Sequence, residues 1–159
     1  MGGRFLRFFA LAAASALLAA GCGGKSAAEK RKDFLGEANS ICKHFNDLQN
    51  QVFVPSVNPL AAKVTHAQRA EWGVGIKQLA YLGTQEVKAL GKLEPPKELA
   101  AGFQALLTTK GGAFAAMLKG ADAAKRNHVS EISAPIVASR AALAKAANQA
   151  RALGLKQCS

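Results

Sequence analysis

The sequence contains few prolines, few aromatic residues and few acidic residues. Among its 159 residues there are five prolines, 6% are aromatic and 50% are hydrophobic. A chain this rich in apolar residues and this poor in proline is not disordered. Its length is sufficient for one domain, with or without a leader, and excludes a multidomain enzyme.

Recognisable catalytic and metal-binding motifs are also absent from the sequence. No segment has the pattern of a glycine-rich phosphate loop, a zinc-ligand pair or a nucleophile elbow. His44, His66 and His128 are scattered along the chain. The spacing of His44 and Asp47 is more typical of a surface pair than of two metal ligands, and Met117 occupies a core position rather than that of a haem ligand. We therefore expect no enzymatic activity, no metal and no cofactor.

The N-terminus has the features of a secretory signal. Residues 1–7 carry two basic side chains and no acid, residues 8–20 carry no charge, and small residues follow. This order is typical of a signal peptide. The thirteen uncharged residues are fewer than the roughly 20 that a spanning helix needs. The pattern predicts an exported protein with residues 1–21 as its signal peptide, and an uncleaved anchor is the alternative.

The end of this leader, Ala19-Ala20-Gly21-Cys22, resembles the lipobox of bacterial lipoproteins, although Ala19 stands where that motif prefers leucine. The resemblance implies cleavage between Gly21 and Cys22 by the lipoprotein signal peptidase, after a transferase has attached diacylglycerol to the Cys22 sulfur. Two acyl chains of palmitate type are enough for stable membrane anchoring. Ordinary cleavage near Ala20, which would leave a secreted or periplasmic soluble protein, is the alternative.

The number of cysteines agrees with lipidation. Three cysteines are present, Cys22, Cys42 and Cys158, and an odd number in an exported protein leaves one thiol unexplained. If Cys22 carries lipid, Cys42 and Cys158 remain as a pair, for which a disulfide is the default in an oxidising compartment. Such a bridge requires the C-terminal tail to turn back along the first helix, or the last helix to end early.

Basic residues outnumber acidic ones throughout the chain. The formal net charge is +11, and removal of residues 1–21 leaves 19 basic and 10 acidic side chains, a net charge of +9. Export makes nucleic acid an unsuitable partner. Four basic residues follow closely after Cys22: Lys25, Lys30, Arg31 and Lys32. In an anchored protein they would lie at the membrane surface and contribute about 1 kcal/mol each with anionic lipids; a solvated helix start is the alternative.

Apolar residues recur at steps of three and four, which predicts helices and no strands. A capping box at Ser26 and Glu29 begins the first helix, and Pro55 ends it. The second helical stretch is expected at about residues 60–93. It is the least regular. Thr65 and Gln68 offer a second capping box, which allows a short helix followed by a longer one, and the glycines within residues 73–75 also leave open whether it is broken.

The second half of the chain predicts two further helices. The third follows the proline pair at residues 95–96 and ends before His128, and Gly154 is the expected cap of the fourth. Four helices with short connections and alanine-rich seams predict an all-α antiparallel four-helix bundle. The expected organisation is a signal peptide at 1–21, a lipidated cysteine with a flexible tether at 22–28, and the bundle at 29–159.

Three segments together resemble a group of small actinobacterial lipoproteins of uncharacterised function. They are Phe-Leu-Gly-Glu-Ala-Asn-Ser-Ile-Cys at residues 34–42, Glu-Pro-Pro at 94–96 and Ala-Leu-Gly-Leu-Lys-Gln-Cys at 152–158. The resemblance spans roughly residues 30–159. It implies an all-helical exported domain with a bridge between Cys42 and Cys158, and it brings no catalytic residues.

Two functional classes fit these features. The first is a membrane-tethered interaction or accessory module that contacts another envelope protein or the wall. The second is a small-ligand binder that holds an apolar or amphipathic molecule between its helices, or near residues 73–75. A cavity of several hundred Å³ would favour the second, and an exposed apolar patch the first. The alanine-rich seams favour the first. Trp72 and Tyr81 are expected as packing residues, and a place in the lining of a groove is the alternative for Trp72.

Overall fold

The computed structural model describes residues 24–159, in which there are four α-helices, two short 3₁₀ turns and no β-strand. The helices are α1 (Ala27–Gln49), α2 (His66–Leu90), α3 (Lys97–Lys125) and α4 (Ser133–Leu153). α3 packs between α2 and α4, and α1 packs against α2. The predicted all-α bundle is therefore confirmed. The predicted signal peptide, its cleavage site and Cys22 lie outside the described residues.

Reciprocal capping boxes mark where α1 and α2 begin. The Ser26 hydroxyl accepts from the Glu29 amide, whose side chain accepts from the Ser26 amide. α1 therefore starts at Ala27, within the range expected for the tether. Thr65 and Gln68 make the same exchange. The expected helix start near residue 60 was wrong, because this second box caps the first free amides of α2, and residues 60–64 form turns instead.

α2 runs unbroken through the glycines that left its continuity open. A Cβ atom at Gly73 would lie 2.7 Å from the carbonyl oxygen of Ala121 on α3. The glycine therefore allows two helix backbones to approach closely, and it does not break the helix. None of the helices in the described part of the chain is long and apolar enough to cross a bilayer.

The C-terminal tail turns back along α1, which is the first of the two routes that the sequence left open for a bridge. Gly154 ends α4 with φ at 85°, in the left-handed region expected of a cap. The Gln157 amide then donates to the side-chain oxygen of Asn39 at 2.8 Å. Cys158 and Cys42 form a disulfide with their Cα atoms 5.0 Å apart.

Buried apolar side chains form two separate clusters. One surrounds the disulfide and consists of Phe34, Ala38, Cys42, Leu90, Leu99, Phe103, Leu106, Ala146, Ala150, Leu153, Leu155 and Cys158. The other consists of Trp72, Ala123, Ala124 and Ile132. Their α2 members, Leu90 and Trp72, are eighteen positions apart, about 27 Å at 1.5 Å per residue. The clusters therefore occupy opposite ends of the bundle, with a different environment at its middle.

One of the two large aromatic residues expected to pack is exposed. Trp72 is buried in the second cluster, as predicted, but the side chain of Tyr81 is 59% exposed. α2 buries Ala80 and Gly83 against its neighbours, and a residue next to Ala80 is rotated about 100° away from that seam. The expectation for Tyr81 was therefore wrong.

The Cys42→Ala/Cys158→Ala variant is expected to be less stable than the wild type. The bridge closes a sequence separation of 116 residues. Its loss lowers the free energy of unfolding by about 2–5 kcal/mol, because the unfolded chain regains the conformational freedom that the closed loop had removed. Urea unfolding followed by circular dichroism measures the change. An unchanged midpoint with an unchanged slope would show that the bridge does not hold the tail.

Substitution of Gly83 by alanine is expected to cost about 1–3 kcal/mol of unfolding free energy, as overpacking does in a filled core. A Cβ atom there would lie 2.2 Å from the ring of Phe114. Gly36→Ala is the matched control on α1, because no atom lies within 4 Å of its added Cβ. The free energy of unfolding of Gly36→Ala should rise by about 0.5–1 kcal/mol, because alanine has the higher helix propensity. Equal effects at the two positions would contradict the close packing at Gly83.

Candidate functional site

The basic cluster predicted next to the membrane surrounds the start of α1. Its members Lys25, Lys30, Arg31 and Lys32 are all exposed. Lys25 forms an ion pair with Asp33, and the hydrogen bond and the opposite charge of Asp33 raise the pKa of Lys25 above its ordinary value. The other three extend into solvent around the first two turns of the helix.

The histidines do not assemble into a site. The Asp47 carboxylate binds Lys43 at 2.6 Å, so it is held by a neighbouring lysine rather than by His44. His66 lies at the first position of α2, and His128 lies beyond the end of α3. The three histidines are exposed.

A buried ion pair lies at the middle of the bundle, between the two apolar clusters. Lys110 Nζ of α3 lies 2.5 Å from Glu86 Oε1 of α2, and the two side chains are 7% and 1% exposed. The sequence interpretation missed this pair. The sequence did contain a sign of this pair. Glu86 lies four residues before Leu90 on the buried stripe of α2, and Lys110 lies four residues after Leu106 on that of α3.

The ion pair uses only part of its hydrogen-bonding capacity. Burial raises the pKa of Glu86 above its ordinary value of 4.5, against the opposing effect of the Lys110 charge and hydrogen bond. A lysine ammonium has three donors and a carboxylate about four acceptor positions. Among residues 24–159, the single hydrogen bond that Lys110 Nζ makes is to Glu86. Donors and acceptors therefore remain free at a buried position.

A cavity of about 460 Å³ opens beside this pair, and we call it the waist cavity. All four helices and the C-terminal tail line it. Its apolar wall consists of Leu79, Phe114, Met117, Leu143, Ala146 and Ala147. Met117, expected in the core, is a half-buried residue of this wall. The cavity therefore combines an apolar wall with a charged pair.

Another polar side chain of the waist cavity, that of Gln49, has a donor without a hydrogen-bond acceptor among the described residues. Gln49 is one of its lining residues. The buried side-chain nitrogen of Gln49 has no hydrogen-bond partner in the described part of the chain. A buried N–H group without an acceptor costs about 1–3 kcal/mol. The cavity thus presents unused donors from both Gln49 and Lys110.

The disulfide adjoins the same cavity. The sulfur atoms of Cys42 and Cys158 and a carboxylate oxygen of Glu86 lie within 4.8 Å of one another. Both sulfurs are engaged in the disulfide, so they are not the thiolates that a metal would require. The bridge therefore forms part of the wall.

A smaller groove of about 360 Å³ lies at the opposite end of the bundle from the basic cluster. This distal groove is lined by Val57, Asn58, Pro59, Leu60, Trp72, Ile132, Ser133, Ile136, Val137 and Arg140. Two of its apolar residues are exposed, Leu60 by 43% and Val137 by 62%. The distal groove is therefore a depression with exposed apolar side chains in a lining that is polar and apolar in about equal parts.

The buried guanidinium of Arg69 holds the loop that forms one side of the distal groove. Arg69 donates to the carbonyl oxygens of Pro59 at 2.9 Å and Ala61 at 3.0 Å, and to the side-chain oxygen of Asn127 at 3.0 Å. These bonds tie the loop before α2 to the end of α3, so the groove has a fixed shape.

Another depression, of about 710 Å³, lies next to the basic cluster. Its lining includes exposed charged residues of α1 and the prolines between α2 and α3. It lacks the buried charged pair of the waist cavity.

Comparison with known proteins yields no match among family models, curated proteins or solved structures. The waist cavity and the distal groove are the candidate sites.

The free energy of unfolding of the wild type, relative to that of Glu86→Gln, is expected to fall as the pH rises from about 4.5 towards neutrality. The folded protein retains the Glu86 proton to a higher pH than the unfolded chain does, so stability is lost as that proton dissociates. Urea unfolding of both proteins over this range measures the difference. Lys110 is present in both, and a difference that stays constant or grows with pH would contradict the raised pKa.

Proposed function

We propose that this chain is a bacterial cell-envelope lipoprotein, anchored by lipid on Cys22 to the outer face of the cell membrane. Its helical domain is proposed to be a non-enzymatic interaction or accessory module. Residues 1–21 direct export, and the transferase and signal peptidase that process lipoproteins act at Gly21 and Cys22. The proposal rests on the lipobox-like leader together with the placement of the basic cluster.

The exposed basic cluster supports a membrane-facing end. Only four residues separate Cys22 from Ala27, the first residue of α1, so at full extension they span about 17 Å. The positive side chains of the first helical turns are thereby held near the lipid surface, where each contributes about 1 kcal/mol with anionic headgroups. Membrane lipid is the first partner of this proposal.

The distal groove supports contact with a second, envelope-located partner. α1 has 23 residues, so it extends about 35 Å from the basic cluster. The exposed side chains of Leu60 and Val137 line the distal groove, which lies beyond the C-terminal end of α1. Interfaces between separately folded proteins combine apolar and polar surface, as the lining of this groove does. The domain would then present the distal groove away from the membrane.

Small-ligand binding is the second candidate function, and the waist cavity favours it. A volume of about 460 Å³ falls in the range of small-molecule sites, which combine apolar walls with a few polar groups. The Glu86–Lys110 pair and the Gln49 amide supply such groups. The alanine-rich helix seams favoured a solid core, but the waist cavity is an open space between the four helices.

Mass spectrometry of the protein extracted from its native membrane tests the anchor. We expect a mature N-terminus at Cys22 that carries a diacylglyceryl mass, and loss of the Cys22→Ala variant from the membrane fraction because its acyl chains are missing. The Cys42→Ala/Cys158→Ala variant is the matched control, since it keeps Cys22 and should stay in that fraction. An unmodified chain that begins elsewhere would contradict the anchor and indicate the secreted, soluble alternative.

A further inference from the structure

We propose that the waist cavity binds a small single-chain carboxylate of about eight to ten carbons, with Lys110 and Gln49 as donors to its carboxylate and the apolar wall around its chain. The inference rests on the second candidate function, small-ligand binding, and gives that site a ligand class. It concerns residues of all four helices and is independent of the lipid on Cys22.

The size of the waist cavity limits the ligand. Its volume of about 460 Å³ corresponds to roughly fifteen groups of the size of a water molecule, at about 30 Å³ each. Octanoate and decanoate have ten and twelve non-hydrogen atoms, so either fits with some space to spare. A diacyl lipid, with more than twice as many atoms, does not fit.

The lining of the waist cavity determines the orientation of the ligand. Leu79, Phe114 and Leu143 belong to the apolar side, and each CH₂ group buried against them contributes about 0.8 kcal/mol. The buried polar groups are those of Glu86, Lys110 and Gln49. Asn46, which donates to the Gln157 carbonyl oxygen, and the exposed Ser159 also line the cavity. A ligand with a polar group at one end and a hydrocarbon chain at the other therefore matches the cavity.

The unused hydrogen-bonding groups favour an acceptor as the head group. Lys110 Nζ retains N–H groups beyond the one bound to Glu86. The buried nitrogen of Gln49 is a second free donor among the described residues. A carboxylate has two acceptor oxygens and no donor, so it satisfies both. An amine would meet the free acceptor positions of Glu86, but it would leave the Gln49 donor unpaired and place a second cation beside Lys110.

The charge of Glu86 does not prevent a carboxylate from entering. Lys110 of α3 is the charged side chain that faces Glu86, and the cavity-lining residues of α1 and α4 are uncharged. Burial raises the pKa of Glu86, which lowers the cost of protonating this carboxyl group when a second carboxylate approaches. The bound ligand then pairs with Lys110, and the site keeps one negative and one positive charge.

Isothermal titration calorimetry on the full-length lipoprotein in lipid nanodiscs tests this site, with empty nanodiscs as the blank. The probes are octanoate, octan-1-ol and octylamine, which share one chain and differ in the head group. Partition into the nanodisc is the same for every variant, so differences between variants report the cavity. Octanoate is expected to bind at one site and more tightly than octylamine.

Three variants separate the head-group contact from the cavity itself. Lys110→Met should weaken octanoate binding about tenfold or more, the weight of one charged hydrogen bond, while octan-1-ol binding changes much less. Ala147→Phe fills the cavity and should abolish binding of both. Ala141→Phe, on the exposed face of α4, is its matched control and should leave both unchanged. If Lys110→Met does not fold, Lys110→Met/Glu86→Gln removes both charges and replaces it.

The proposal is overturned by any of three results. These are no saturable octanoate binding, octanoate binding unaffected by Lys110→Met or Ala147→Phe, and octylamine bound more tightly than octanoate. None of these bears on the lipid of Cys22, because the anchor is tested by mass and membrane fractionation. A lipidated chain that does not bind octanoate removes the ligand and keeps the anchor.

Discussion

The disulfide between Cys42 and Cys158 joins the middle of α1 to the C-terminal turn, and the arrangement of the other elements depends on that joint. α1 lies against α2 and the returning tail, and only Phe34, Ala38 and Cys42 of α1 are buried. So small a buried set contributes little apolar area. The covalent bridge therefore holds α1 on the bundle, and it also brings the tail to the edge of the waist cavity.

The middle of the bundle is built differently from its two ends. Apolar clusters at each end exclude water, whereas Glu86 and Lys110 occupy the position between them. A buried ion pair loses several kcal/mol of hydration per ion, and apolar residues of the same size commonly give equal or greater stability. Stability alone does not explain the pair. Its position at the wall of a cavity, with free donors, fits a role in binding.

The two ends of the molecule have opposite character. Exposed lysines and an arginine surround the start of α1, and the far end carries the distal groove with Leu60 and Val137 exposed. Positive charge suits an anionic lipid surface, and a groove that combines exposed apolar side chains with polar ones suits a protein partner. A tethered domain with this polarity would face the membrane with one end and the rest of the envelope with the other.

Local sequence determined the helices and several of their ends, because capping and apolar periodicity act within a few residues. The end of α1 at Gln49 rather than at Pro55 was not among them. The boxes at Ser26 and Thr65 and the glycine at position 154 are examples. Cysteine parity likewise indicated the bridge. Tertiary structure alone decided that the space beside Glu86 and Lys110 stays open, because these residues are 24 positions apart and meet only after α2 and α3 pack. A cavity is a property of how several surfaces fit together, and no single helical stripe contains that information.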